Sequence, residues 1–141
     1  MPSGNKFQAT VKELAEASIA CATDNLKVML SNTAPVVTNT AKANISEITA
    51  GNGYTAGGTA TTVTKSNALG VETLFAADVV FTAAGGSIGP FRYIVLYNDT
   101  QTTPAKPLVC WWDYGSSISV STGQTFTTDF EPSTGFWTCG A

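Results

Sequence analysis

The stretch Ala50-Gly51-Asn52-Gly53-Tyr54-Thr55-Ala56-Gly57-Gly58 packs four glycines around one tyrosine. Glycine-rich loops bind phosphate when they join a strand to a helix, because backbone N–H groups and the helix N-terminus then point at the anion. Here the segment that follows, TATTVT (59–64), is β-branched and disfavours a helix. The loop ends Gly58-Thr59-Ala60, without the lysine of a Walker loop. The spacing Gly51-x-Gly53-x-x-x-Gly57 also misses a dinucleotide fingerprint by one residue. The residues therefore predict a mobile or tightly turning loop anchored by Tyr54, with no phosphate chemistry.

Other chemistries are narrowed by what the chain contains. It has no histidine, which removes Ser-His and Cys-His nucleophiles and the commonest zinc ligand. Asp113, Asp129 and Glu131 are the acids that would have to supply a glycosidase-like carboxylate pair. Nothing nearby orients them, so they read as strand-end and solvent-facing acids. Asn98-Asp99 lacks the dense acidic spacing of a calcium loop and reads as a turn. Cys21, Cys110 and Cys139 form no CxxC pair and are odd in number, which favours reduced, packed thiols. A Cys110–Cys139 bridge stays open. The expectation is a protein that is not an enzyme and carries no metal or cofactor. The aromatics Tyr93, Tyr97, Trp111, Trp112, Tyr114 and Trp137 fit either a stacking platform or, more commonly, a β core or interface. Trp111 and Trp112 are adjacent, so on a strand they point to opposite faces. One of them must then face outward or into a second packed layer.

The elements that position these residues are mostly strands. Phe7, Val11, Leu14, Ala15 and Ile19 form an apolar helical stripe, predicting an amphipathic helix over about 6–19 that covers a sheet. Asn5 or Ser3 would cap it, and Lys12 and Glu16 would pair on its outer side. Leu26, Val28 and Leu30 alternate with Lys27, Met29 and Ser31, as in a half-buried strand. A loop with a helical turn near 41–47 precedes the glycine segment. After it the chain is β in character over about 25–139. The run 59–66 is β-branched, and 72–83 is one or two strands with a break near Asp78. FRYIVLYN (91–98) carries apolar residues on both faces, the mark of a central strand. LVCWWDYG (108–115) is expected to end at Gly115. Ile118–Val120 and QTFTTDF (124–130) are expected to pair as a hairpin around Gly123, and a last strand holds Trp137. Strands at this spacing predict one domain over 1–141, a β-sandwich or barrel with one N-terminal helix.

Charged residues make up 12% of the chain, about half the ~25% of an average protein, and the net charge is −3. The seven basic residues are scattered, so no stripe exists to track a phosphate backbone, and direct nucleic-acid binding is not expected. No segment reaches the ~18 apolar residues of a membrane span, and the N-terminus has no signal-peptide core. A protein made in a cytoplasm is expected.

Three segments carry a family resemblance: GNGYTAGG, GGSIGPFRYIVLYNDT (85–100) and PLVCWWDYGSSISVSTGQTFTTDF (107–130). With the opening NKF, ELAE and DNLKVMLSNTAPV, the chain from about Lys6 to Phe130 resembles a family of small tailed-bacteriophage virion proteins, similar to capsid decoration, or cement, proteins. The resemblance is specific in FRYIVLYND and WWDYG and weak in the glycine loop alone. The ending from Glu131, with Pro132, Trp137 and Cys139, departs from the apolar ending of such proteins.

The resemblance implies a jelly-roll-like sandwich on the outer capsid surface of a virion, made in a bacterial host. It implies binding to the major capsid protein, and the split Trp pair and the scarcity of charge add the expectation of self-association as a dimer or trimer. Candidate contact residues are Tyr54, Gly53, Gly57, Trp111, Trp112 and Trp137. The alternative is a tail or head-fibre component that binds a host-surface glycan through its aromatics.

Overall fold

The computed structural model describes residues 4–15, 20, 21 and 23–139. Glu16, Ile19 and Ser3, invoked above for the helix and its cap, lie outside the described residues.

The elements in chain order are β1 (Asn5–Lys6), α1 (Gln8–Ala15), β2 (Leu26–Ser31), a 3-10 turn (Lys42–Asn44), β3 (Thr59–Thr61), β4 (Val63–Ala68), β5 (Val71–Ala76), β6 (Val79–Thr82), β7 (Ile88–Asn98), β8 (Leu108–Val120), β9 (Thr125–Thr128) and β10 (Trp137–Cys139). The protein is mainly β, with antiparallel sheets and one short helix. A five-stranded sheet runs β1-β8-β7-β2-β3, a three-stranded sheet runs β10-β5-β4, and β6 pairs with β9. The sheets do not close into a barrel.

The strand FRYIVLYN lies within β7, flanked by β8 and β2, and residues 93–98 are all buried. Its two faces feed two clusters. Ile94 and Leu96 enter the main core with Leu26, Val28, Leu30 and Trp112. Val95 and Tyr97 enter a second cluster with Phe7, Met29 and Leu108, against which Ile45 and Trp111 pack. A sheet with apolar residues on both faces needs a cover on each, and the 3-10 region around Ile45 and the N-terminal Phe7 supply the second one.

Several expectations change for identifiable reasons. The β2 strand lies between β7 and β3 and is buried on both faces rather than half-buried, because Met29 packs in the second cluster with Phe7 and Leu108 and the Ser31 hydroxyl donates to Ser46 O at 2.7 Å. Phe91 does not share a face with Tyr93. Register shifts on either side of Phe91 break the period of two, and Phe91 turns into the main core. The β8 strand continues past Gly115 to Val120. Gly115 adopts φ 96° with open space where a Cβ would sit, and its N–H donates to Asp113 Oδ1 at 2.8 Å. The glycine marks an irregularity inside a strand and does not end it.

The Ile118–Val120 segment does not form a hairpin with 124–130. The turn at 121–124 instead moves the chain to another sheet, where Gly123 N–H donates to Ala83 O and Ala83 N–H to Gln124 O, so that β9 pairs with β6. The break at Asp78 is present between β5 and β6. The run 59–66 is split between β3 and β4, which belong to different sheets.

The helix covers β8, and Thr10 joins the stripe residues Phe7 and Leu14 on the buried side. Thr10 is fully buried, and its hydroxyl lies 2.7 Å from Leu108 O and 2.9 Å from Val109 O. Those carbonyls sit where the β7–β8 register slips between Leu96 and Tyr97, so the hydroxyl meets acceptors beside a disrupted ladder. Val11 is 56% exposed, while Leu14 packs against the main core. Asn5 pairs with Trp111 in β1 and does not cap the helix.

Candidate functional site

The glycine loop is tied down by one carboxylate. A pair of bonds between Gly51 and Tyr54 closes a tight turn, with Gly51 at φ 133°, Asn52 at 55° and Gly53 at 96°. Tyr54, expected as the anchor, is 3% exposed and sits against Phe81 with ring centroids 5.7 Å apart. Its hydroxyl accepts a bond from Leu30 N–H at 3.1 Å and donates to Glu47 Oε1 at 2.8 Å. Glu47 Oε1 also accepts a short bond from Gly57 N–H, and its Oε2 accepts from Lys42 Nζ at 2.9 Å. Tyr97 Oη donates to Gly57 O at 2.8 Å. Burial pushes the Tyr54 phenol well above its ordinary value, so it stays a proton donor.

Two of the four glycines are required by contacts within the chain, whereas a Cβ on Gly51 would meet nothing within 4 Å. A Cβ on Gly53 would lie 2.1 Å from Thr82 O, and one on Gly58 would lie 1.9 Å from Val28 O. At Gly57, φ is 90° and the Tyr97 hydroxyl would be 3.2 Å from a Cβ. The loop is followed by β3, not a helix, in agreement with the argument against phosphate binding. Of the two readings open from sequence, the tight turn is the one observed. Glu47 escaped notice because a single acid in a loop carries no spacing signal; its chain neighbours gave only the helical turn.

The remaining contact candidates are placed as follows. Trp111 and Trp112 do point to opposite faces. Trp112 is 3% exposed in the main core and packs against Phe130, with ring centroids 4.8 Å apart and the planes tilted by 48°. Trp111 is half-buried on the second cluster, edge-on to Tyr93 at 6.0 Å. Of the two alternatives for the pair, an outward-facing ring or a second packed layer, the layer is present and is the chain's own, made around Phe7 and Ile45. Trp137, on β10, is 6% exposed beneath the Lys6 ammonium at 4.3 Å. The indole N–H groups of Trp111 and Trp137 are buried without a hydrogen-bond partner. Tyr54, Trp112 and Trp137 are therefore core residues. The structure does not gather the aromatics into one platform: Tyr97 and Trp112 lie in different cores, and only Tyr114 of the six is exposed.

The acids are equally committed. Asp113 forms a two-bond pair with Arg92 at 2.7 and 2.8 Å, which holds its carboxyl below the ordinary range. Glu131 accepts from the hydroxyl and the N–H of Ser133, which also lowers it. Asp99 is clamped by Lys106 and Lys27, each at 2.7 Å. Asn98 Oδ1 accepts from the N–H groups of Thr100 and Gln101, a side-chain-stabilised turn in place of an ion loop.

All three cysteines are free. Burial pushes Cys21 up to about 11 and Cys110 well above its ordinary value, which leaves both thiols protonated and inert. Among the described residues no three His, Cys, Asp or Glu side chains converge as a metal site.

Two surface features remain. An open apolar groove of about 540 Å³ runs between α1 and the β4–β5 hairpin, lined by Val11, Leu14, Cys21, Leu74 and Trp137, with Lys65 and Glu72 on the hairpin side. The hairpin itself presents β4 as a sheet edge, five of whose six residues are exposed, and Leu69 at its tip is fully exposed.

No family model, no curated protein and no solved structure matches the chain. No helix among the described residues is long and apolar enough to cross a membrane.

Proposed function

We propose that the protein is a structural component of a tailed-bacteriophage virion that binds the outer surface of the capsid and bridges major capsid subunits. The resemblance in FRYIVLYND and WWDYG suggests this role. The observation that carries it furthest is the division of labour in the fold. The residues richest in chemistry are bound to one another inside the chain, while a hairpin edge and its apolar tip are presented outward.

Such a surface suits binding by added backbone hydrogen bonds and shallow apolar contact. Modest single contacts suffice on a shell, because an oligomer that engages several capsid subunits gains from effective concentration. The reading extends to a jelly-roll-like sandwich in which the five-stranded sheet and the smaller sheets enclose the main core, and to location on the virion.

The test is reconstitution. Purified protein is mixed with heads that lack it, and co-sedimentation and the heat resistance of the heads are measured. Saturable binding with raised heat resistance supports the proposal. Binding to tails or to a glycan array, with none to heads, replaces it with a fibre or host-recognition role.

A further inference from the structure

The β4 strand is the terminal strand of the sheet β10-β5-β4, so among the described residues the N–H and C=O groups along its outer side meet no neighbouring strand of the sheet. Its pairing with β5 is unbroken from Val63–Ala76 to Ala68–Val71. Natural edges usually discourage further pairing with proline, bulges or several charges. This one has neither proline nor bulge, and Lys65 is its single charge. Leu69 at the tip adopts φ 51° and Gly70 φ 80°. A bulky aliphatic residue at positive φ is costly, and here the side chain gains no burial within the chain.

We propose that β4 pairs with β4 of a second copy, antiparallel about a two-fold axis normal to the sheet and centred on Ser66. The result is a continuous sheet β10-β5-β4-β4-β5-β10. An axis normal to the sheet keeps every side chain on its own face, so residues meet in pairs whose numbers sum to a constant even value. Centring on Ser66 sets Lys65 opposite Asn67 of the second copy and Val63 opposite Leu69 of the second copy.

Within each chain Asn67 lies opposite Glu72 and donates to its Oε2 at 3.0 Å. Lys65 therefore faces a row of Asn67 and Glu72 from the other copy. Glu72 is two strand spacings away, about 10 Å, within the joint reach of lysine and glutamate. Symmetry makes this Lys–Glu complement twice, and gives each exposed Leu69 an apolar neighbour. Centring on Lys65 would instead oppose two lysines, which is destabilising.

Such an edge is much smaller than the ~1,600 Å² of a standard interface, so the free dimer is weak and strengthens when many copies are arrayed on a shell. The pairing supplies the contact for the self-association proposed above but does not depend on capsid binding. A dimer that ignores heads overturns the capsid reading alone, and a decorating monomer overturns the pairing alone.

The test combines sedimentation equilibrium of the full chain with cysteine cross-linking in a Cys139→Ser background. A reversible monomer–dimer equilibrium is expected. On mild oxidation Ser66→Cys should form disulfide-linked dimer at least tenfold faster than Thr64→Cys, because position 66 meets itself and position 64 meets 68. Neighbouring residues of a strand direct their N–H groups to opposite sides, so one of Lys65→Pro and Ser66→Pro should weaken the dimer tenfold or more while leaving the melting of the monomer unchanged. Lys65→Glu should weaken the dimer, and Lys65→Glu with Glu72→Lys should restore it. A monomer at all concentrations, a trimer, equal cross-linking at 64 and 66, or a dimer indifferent to both prolines would overturn the pairing. If both proline variants unfold, the cross-linking comparison decides.

Discussion

The loop 50–58 and the tip Leu69–Gly70 both turn the chain through residues at positive φ, yet their surroundings are opposite. In the loop, Gly53 and Gly58 lie against Thr82 O and Val28 O, and Glu47 gathers Tyr54, Gly57 and Lys42. At the tip, Leu69 is fully exposed, and a Cβ on Gly70 would meet nothing within 4 Å. Positive φ is thus used once to bring backbone against backbone and once only to reverse direction. Four glycines in a row of nine look like a flexible surface, but here Gly53 and Gly58 permit close packing of backbone on backbone, while Gly51 only turns the chain. A leucine in a turn looks unremarkable, but here it marks a presented surface. Glycine content by itself does not say which kind of turn a segment makes; the neighbours a Cβ would strike do.

The comparison can be broken most severely at Gly58. Gly58→Ala should destabilise the fold by about 4 kcal/mol or more, since φ is 73° and the added carbon meets the Val28 peptide. Urea unfolding measures this, and near-wild-type stability would show the loop to be loosely held. Tyr54→Phe should cost about 1–3 kcal/mol by leaving Leu30 N–H without its acceptor and removing a donor from Glu47. A loss below experimental error would remove Glu47 as the organiser of the loop.

At the tip the sign reverses. Leu69→Asn should raise the stability of the monomer by about 0.5–1 kcal/mol, because asparagine tolerates left-handed backbone and Asn-Gly suits a two-residue hairpin. The same change should reduce self-association, read by sedimentation. A destabilised monomer would mean that Leu69 serves the fold and not a partner.

The smallest effect lies outside both turns. Donation from Lys106 and then Lys27 lowers the Asp99 carboxyl in the folded chain. A depressed folded value stabilises above the unfolded one, about 3.9, and the contribution is lost as pH falls through the folded value. The unfolding midpoint should therefore drop below about pH 4, and Asp99→Asn should flatten part of that drop. Asp113 and Glu131 are lowered too and act in the same direction, screened by solvent. An equal slope in the variant would exclude Asp99 from the effect.

Much of the framework is legible in sequence, for physical reasons. FRYIVLYN has no polar face, which only a doubly covered strand satisfies, and the Trp pair leaves open an outward-facing ring or a second layer, of which Phe7 and Ile45 provide the layer. The break at Asp78 and the strand after the glycine loop also follow from local preference. What escapes depends on contacts distant in sequence. Phe91 changes face through a register slip, Gly115 bends a strand where it seems to end one, and β9 pairs with β6 across 42 residues or more. Val11 fits the helical stripe, but Thr10 is the residue that the β8 carbonyls select. The β4–β5 hairpin carries no turn signature in Leu69-Gly70 and no alternation in KSNALGVET, so neither its pairing nor its exposure is written locally.

The most direct test of the central claim is the position of the protein in the particle. Cryo-electron microscopy of the parent virion should show density of this fold on the outer face of the head, in contact with adjacent major capsid subunits. Density at the tail, or none on the particle, would contradict a capsid-decorating role.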